Sequence, residues 1–508
     1  MSAVLAIAGA DFLERVRRFT FLVTVAASLY AGYLWLPDPH AGYATVIIDD
    51  HRGLYTSAFM GYGTAILTAT FLSLIGFFLV RGAVERDRDL HTDGIVGASP
   101  VGRFAFLTGK FLSNLFVLCT VAAIAFAAAM LMQLLRGEER SFDLLAYLAP
   151  FAFVTVPAMA LVAAIAIAFD VVPFLRGVLG GVAYFIAVWN PMLVIPLATS
   201  KNFSKPPPAD PLGMYAVINS MHRATVAQFP RERGMDVDIG GAPAVNLGAP
   251  FIYHGMHWTF GLLAERAVWM LIAFALVAAV APLFDRFCRD ATGAKRERWS
   301  FDVARLIPNA GPLRVFRAEF ALLVNGAGWW WLLGAAVLAV LTGVMPIGNV
   351  EKVVLPIALI WPLERLSALG SRERRWNVAD ILNATPGYAM STLLVHWMAG
   401  SALGAGICAG FIVRLFASGY ALGALACIAV VAAMSAAALA FGTLTGARRA
   451  FEAAYLVLWY LGPVNDVPQV NFAAAPLTAP AMLCAIAGAV AAAGVVTATL
   501  ARAASSRR

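Results

Sequence analysis

The sequence predicts an all-α integral membrane protein of about twelve transmembrane helices, arranged as two parallel six-helix repeats. Three observations carry this expectation. Of the 508 residues, 61% are hydrophobic and only 13% charged, and the mean hydropathy is +0.78, so the chain calls for lipid rather than water as its solvent. Apolar stretches of about 20 residues, enough to cross a bilayer as a helix, recur between short charged or Pro-rich segments. A short pattern also returns at the same ordinal place in each half.

Taken in order, the spans fall at roughly 19–36, 58–80, 109–134, 144–169, 174–197 and 258–284, then 326–347, 350–370, 389–413, 419–443, 451–464 and 476–501. The first apolar stretch follows a charged amphipathic segment and lacks a small-residue cleavage site, so it reads as a retained helix, with the mature chain starting at or near Met1. Placing the N-terminus in the cytoplasm puts 26 of the 37 basic residues on that side, among them Arg15, Arg17, Arg18, Arg448 and Arg449. By the positive-inside rule both termini are expected in the cytoplasm of a bacterial inner membrane. The domains follow: a first six-span domain over 1–284 with a long extracytoplasmic loop at 201–257, a cytoplasmic linker at 285–312, and a second six-span domain over 313–508.

Gly94-Ile95-Val96-Gly97-Ala98-Ser99-Pro100 aligns without gaps on Asp380-Ile381-Leu382-Asn383-Ala384-Thr385-Pro386. Each copy follows a charged cluster, Glu85-Arg86-Asp87-Arg88-Asp89 or Arg372-Glu373-Arg374-Arg375, and precedes the third span of its half. Each half opens on an amphipathic stretch, Phe12–Phe19 or Leu313–Phe320, whose arginines and apolar residues suit a helix lying at headgroup level. An even number of spans per half gives the halves the same orientation, a parallel repeat about an axis along the membrane normal.

These residues resemble the membrane subunits of type-2 ATP-binding-cassette (ABC) exporters, in a tandem form. The family's acidic-basic pair, small-residue-Pro turn and Gly-Lys are matched by Glu85-Arg86, Ala98-Ser99-Pro100 and Gly109-Lys110. The second half keeps Arg372-Glu373 and Ala384-Thr385-Pro386 but has Leu394-Val395-His396-Trp397 where the Gly-Lys stands. The resemblance implies amphipathic elbow helices and cytoplasmic coupling helices. It also implies an ATPase-coupling role for Glu85, Arg86, Ser99, Pro100, Arg103, Lys110, Arg372, Glu373, Thr385 and Pro386. Two separate ABC ATPase subunits are the partners it implies, and ATP and magnesium would be bound by them and not by this chain. In physical terms a Ser/Thr-Pro turn entering a helix is expected to supply an N-cap and a preset backbone angle, making a rigid knob. The alternative is an ordinary cytoplasmic loop with positive-inside arginines.

No enzymatic centre emerges from the sequence. There is no Gly-x-x-x-x-Gly-Lys-[Ser/Thr] loop: six residues separate Gly102 from Gly109-Lys110, and Phe111 follows the lysine. The five cysteines, Cys119, Cys288, Cys408, Cys427 and Cys484, form no metal-like spacing, and His254-x-x-His257 is expected to serve interfacial packing rather than a metal. The net charge of +8 reports orientation and lipid headgroup contact, not nucleic acid. Asp170, Glu364 and Glu452 fall near cytoplasmic span ends, and Glu265 and Arg266 are expected to pair locally. Gly177-x-x-x-Gly181, Gly400-x-x-x-Gly404 and Gly406-x-x-x-Gly410 read as helix-packing spacings, while Trp189 and Trp459 read as interface anchors beside Pro191 and Pro463. The leading expectation is a permease component of an exporter with an unknown substrate. A proton-coupled secondary transporter and a non-transporting membrane scaffold remain as alternatives.

Overall fold

The computed structural model describes residues 3–17, 19–38, 43–89, 92–139, 141–175, 178–200, 207, 209–230, 237–243, 247–284, 313–324, 329–375, 388–464 and 470–505. The chain forms two units, Met1–Asp290 and Ala291–Arg508. The boundary falls inside 285–312, a segment outside the described residues. Among the described residues helix dominates both units, and one small antiparallel sheet belongs to the first.

In the first unit α1 (Ala3–Val16) and α2 (Phe19–Trp35) both pack on the long α6 (Arg103–Arg136). Between them and α6 come β1 (Tyr43–Ile48), β2 (His51–Arg52), α3 (Ser57–Val80), α4 (Ala83–Asp89) and α5 (Asp93–Ala98). Thr56 starts α3 by accepting the Phe59 amide on its hydroxyl at 3.2 Å, and nearly all of α3 is buried. Then follow α7 (Leu145–Pro150), a π-helical turn at Phe151–Thr155 and α8 (Val156–Val171), which run together as one apolar helix. Next come α9 (Val178–Ala183), a second π turn at Tyr184–Trp189, α10 (Asn190–Ser200), α11 (Met214–Gln228), β3 (Val237–Pro243) and α12 (Phe260–Val280).

The close crossing of α1 over α6 depends on one missing side chain. A Cβ on Gly109 would lie 2.8 Å from Ile7 Cγ2 and 3.1 Å from the Val4 carbonyl, so only glycine lets the two backbones approach this far. The sheet has the order β2-β1-β3. Its tight β1–β2 turn is Asp49-Asp50, both left-handed at φ 51° and 60°, the geometry that matches the twist of the flanking strands. The segment at 201–257, expected to be an extracytoplasmic loop, does not fold by itself: β3 pairs with β1 from the far earlier 43–48 stretch.

In the second unit α13 (Leu313–Val324), α14 (Trp329–Val344), α15 (Ile347–Asn349), a π turn at Val350–Val354, α16 (Leu355–Ile360), α17 (Leu363–Leu366) and α18 (Arg372–Arg375) come first. They are followed by α19 (Tyr388–Ile407), α20 (Ala409–Ala417), α21 (Ala421–Thr445), α22 (Arg448–Trp459), a π turn at Tyr460–Val464, α23 (Ala475–Thr478) and α24 (Pro480–Ser505). α14 and α20 make a close joint, where a Cβ on Gly410 would meet the Ala339 carbonyl at 2.1 Å. Gly404 likewise admits Val431, whereas Gly406 has nothing within 4 Å. Of that expected packing pair only Gly410 makes a close approach.

Among the described residues, six helices are long and apolar enough to cross a membrane: Ser57–Asp87, Arg103–Arg136, Leu145–Val171, Phe260–Leu283, Ala421–Thr445 and Pro480–Ala501. A seventh arises if Thr392–Ile407 and Ala409–Ala417, bent by 72°, are one broken span. These helices mark a membrane protein, and apolar side chains such as Leu134, Leu135 and Leu271 stand exposed on them. At the other expected positions the helices are shorter, as at Gly180–Pro196 and Trp331–Val344, or interrupted, as between Val350 and Leu366.

Candidate functional site

At the end of the first unit where α3 turns into α4, buried charges from α1, α4, α6 and α8 converge. Lys110 Nζ lies 2.9 Å from both Asp11 Oδ1 and Asp87 Oδ1, and Ser113 donates to Asp11 Oδ2 at 2.6 Å. Arg15 Nη2 sits 2.8 Å from Asp11 Oδ2. That contact is an ion pair without hydrogen-bond alignment, since the three guanidinium nitrogens are buried with no hydrogen-bond partner. Burial by itself would raise the Asp11 carboxyl, but Arg15, Lys110 and the Ser113 hydroxyl outweigh it and bring the pKa down to about 2. Asp170, at the end of α8, accepts the Gly82 amide at 2.7 Å and the Val84 amide at 3.4 Å. It thereby pins the left-handed Gly82, φ 79°, where the chain leaves α3. Taking away one member of such a buried set strands a charge, a loss of about 3–5 kcal/mol.

The second unit places a smaller cluster at the corresponding turn. Glu319 on α13 brings Oε2 to 3.0 Å from His396 Nε2 on α19 and to 3.4 Å from Arg372 Nη1 on α18. His396 is buried, and its Nδ1 has no hydrogen-bond partner.

A second pair of contacts joins the helix before each long connection to the helix that precedes the charged hairpin. In the first unit Tyr184 donates to the Ser73 carbonyl at 2.7 Å, and the Trp189 indole donates to the Ser73 hydroxyl at 2.9 Å and the Thr70 carbonyl at 3.2 Å. In the second, Tyr455 donates to the Leu359 carbonyl at 3.1 Å and Trp459 to the Pro356 carbonyl at 2.9 Å. Tyr184 and Trp189 are the ends of a π turn, whose wider winding accepts one more residue between stacked side chains than the α-helical Tyr455–Trp459 spacing. Both tryptophans are buried. The expectation that they anchor at the membrane interface is therefore corrected: their N–H groups are spent on carbonyls inside the unit.

The residues singled out from the sequence are distributed unevenly around these clusters. Lys110 is buried at the centre of the first one. Glu85 and Arg86 are half-buried on α4, and Arg103 is exposed at the start of α6 with Nη1 donating to the Pro282 carbonyl at 3.2 Å. Ser99 does not N-cap the following helix as expected. The residue before α6 is Gly102, and Ser99 donates back to the Val96 carbonyl at 2.8 Å, closing α5. Pro100 is exposed beside it. Arg372 reaches Glu319, and Glu373 is half-buried beside it on α18. Thr385 and Pro386 lie outside the described residues, as do 380–386 as a whole. Asp11, Ser113 and Glu319 were not picked out from the sequence as site residues. Their signal is an acid on each amphipathic opening helix together with a base at the same distance beyond each repeated motif.

At the opposite end of the first unit His222 on α11 lies 2.5 Å from Asp49 in the β1–β2 turn, and Arg52 makes a two-pronged pair with Glu138 at 2.7 Å on each arm. Glu265 pairs with its neighbour Arg266 at 2.5 Å, as expected, while Arg266 also donates to the Asp210 carbonyl at 2.7 Å. Burial raises the Asp210 carboxyl, with Arg266 opposing. His254 and His257 are exposed, and no group of three potential metal ligands occurs among the described residues. Comparison with protein-family models, with curated proteins and with solved structures finds no match, so any functional reading rests on this chain's own residues.

Proposed function

We propose that the chain is the membrane permease of an ABC exporter, built as two parallel six-span repeats and driven by two separate ATPase subunits that carry the ATP and magnesium. In this reading the protein sits in the bacterial inner membrane with both termini in the cytoplasm, so the charged turns at 81–110 and 365–396 face the ATPases. The observation that carries it is a single residue offset. The shift that lays Gly94–Pro100 on Asp380–Pro386 also carries Lys110 onto His396, Arg86 onto Arg372, Thr70 onto Pro356 and Ser73 onto Leu359. The first of these pairs holds the acid of each opening helix, and the last two supply the oxygens that each buried Tyr–Trp pair contacts. Six spans per half, some shorter than a straight bilayer crossing, account for this recurrence more economically than twelve unrelated helices.

A hairpin clamped from three sides transmits a push applied at its exposed face to the spans it joins. In this reading Glu85, Arg86, Ser99, Pro100 and Arg103 are the coupling residues of the first half, with Pro100 and Arg103 exposed, and Arg372 and Glu373, together with Thr385 and Pro386 expected from the sequence, are those of the second. Lys110 would act from inside, by holding the hairpin, and not by touching the ATPase.

The test is purification of the tagged chain in mild detergent from its own cells, followed by partner identification and an ATPase assay. Recovery of a subunit with a nucleotide-binding loop at about two per chain supports the reading. A solitary chain with no ATPase activity, or transport that survives ATP depletion and collapses with the proton gradient, would replace it with the carrier or scaffold alternative.

A further inference from the structure

We propose that Cys408 and Cys427 form a redox pair, in which oxidation joins the two sulfurs in a disulfide that fixes the break between α19 and α20 against α21.

Two helices crossing antiparallel bring the thiols together. Trp397 on α19 donates its indole N–H to the Ala432 carbonyl on α21 at 2.9 Å. A Cβ on Gly400 would lie 3.1 Å from Ser435 Oγ, and a Cβ on Gly404, one turn further, 2.5 Å from Val431 Cγ1. Each step of four residues forward on α19 is met by a step of four back on α21, and the missing side chains of both glycines let the backbones close in. The next step of that ladder sets Cys408 opposite Cys427. Their thiols hydrogen-bond to each other, both residues are buried, at 1% and 2% exposed, and neither is bridged. A disulfide needs Cα atoms about 4.4–6.8 Å apart, a range that neighbouring helices reach where small residues permit this kind of approach. Alanines would pack here as well; what thiols add is the capacity for a bond.

Cys408 also stands at a joint. Thr392–Ile407 and Ala409–Ala417 meet at it with a bend of 72°. Its amide donates to the Gly404 carbonyl at 3.1 Å and its carbonyl accepts the Ile412 amide at 3.1 Å, so its backbone carries the bonding of one helix into the next. A bond from its sulfur to α21 therefore ties the vertex of the bend to a neighbouring helix. Reduced, the bend is held by non-covalent contacts; oxidised, its vertex cannot part from α21.

Burial shuts out bulky reagents, so the oxidant must be small and uncharged, and a hydroperoxide meets both conditions. It gives one oxygen to the first thiol, leaving a sulfenic acid and the corresponding water or alcohol. The second sulfur then attacks the sulfenic sulfur, the S–S bond forms, and the hydroxyl leaves as water with the second thiol's proton. The two thiols lose two electrons in all, and the peroxide O–O bond takes them. Because the thiols already touch, closure is intramolecular. A disulfide reductant reverses it. The switch needs no ATPase and holds whether or not the chain is a permease.

The test treats the full chain in lipid nanodiscs with hydrogen peroxide, blocks the remaining thiols and digests without reduction. A peptide joining Cys408 to Cys427 is expected, with amide exchange across 404–417 slowed about tenfold and restored by a membrane-permeant phosphine. Cys427→Ala is expected to show neither the link nor the slowing, and Cys484→Ala to show both. The proposal is overturned if no link forms in the folded chain, or if it forms only after unfolding. It is equally overturned if either cysteine links instead to Cys484 or to a second chain, or if exchange across 404–417 is unchanged once the link is present.

Discussion

The Trp189 indole donates to the Ser73 hydroxyl at 2.9 Å, and the same hydroxyl donates to the Thr70 carbonyl at 2.8 Å. A helix carbonyl that already serves its own ladder is thus drawn into a contact between two helices distant in sequence. With no hydrophobic force between helices in lipid, such directed bonds and close packing are what specify which helix meets which.

Trp189→Phe should remove that donor while keeping an aromatic, if smaller, side chain. We expect a loss of about 1 kcal/mol of stability, read as a lower denaturation midpoint in detergent. Trp459→Phe should cost a similar amount because its bond to the Pro356 carbonyl is also buried. An unchanged midpoint in both would mean the indole N–H groups do not hold these helices.

The depressed Asp11 carboxyl links the first cluster to acid stability. Its pKa falls from 3.8 to about 2 on folding, so its contribution is fully present above pH 4 and is lost as pH drops through 2. On the order of 2 kcal/mol is at stake. Asp11→Asn should lower stability at pH 6 and flatten the acid limb of the unfolding curve between pH 4 and 2.

Gly109→Leu should separate α1 from α6, since even a Cβ at this position meets Ile7 at 2.8 Å. The expected readout is local: residues 3–16 become accessible to protease in detergent while the rest of the unit keeps its helical signal. Continued protection of α1 would show that the crossing adapts.

Asp50→Gly should be neutral or stabilising by about 1 kcal/mol, because Asp50 is held left-handed at φ 60° and is exposed. Asp49→Gly should gain the same backbone relief and lose the carboxylate that contacts His222, so the difference between the two variants in a thermal melt measures what the Asp49 side chain contributes.

Composition and hydrophobic runs made the helical, lipid-facing character legible, because each depends on residues adjacent in sequence. The clusters depend on residues that are not. Asp11 lies just before the stretch Phe12–Phe19, whose pattern reads as a helix at headgroup level, and it is buried where Gly109 lets α1 pack closely on α6. Trp189 reads as an interface anchor because its bonding partners, Thr70 and Ser73, come from a helix far upstream. The strand Tyr43–Ile48 escaped notice although Val46-Ile47-Ile48 followed by Asp49-Asp50 carries a β-branched run and a two-residue turn. Helix lengths were overestimated where hydropathy runs on through breaks, as at Val350–Leu366, because apolarity alone does not register a local change of winding.

The pairing of β1 with β3 has a consequence for how the protein is made. Tyr43 waits for Pro243, and roughly 200 residues of chain, on the order of 10–40 s of synthesis, must emerge in the interval. During that time the β1–β2 hairpin stands with an open edge, the most adhesive surface a nascent chain can present. Biogenesis of the first unit should therefore be limited not by threading its helices into lipid but by keeping this one strand from finding the wrong neighbour before its own arrives.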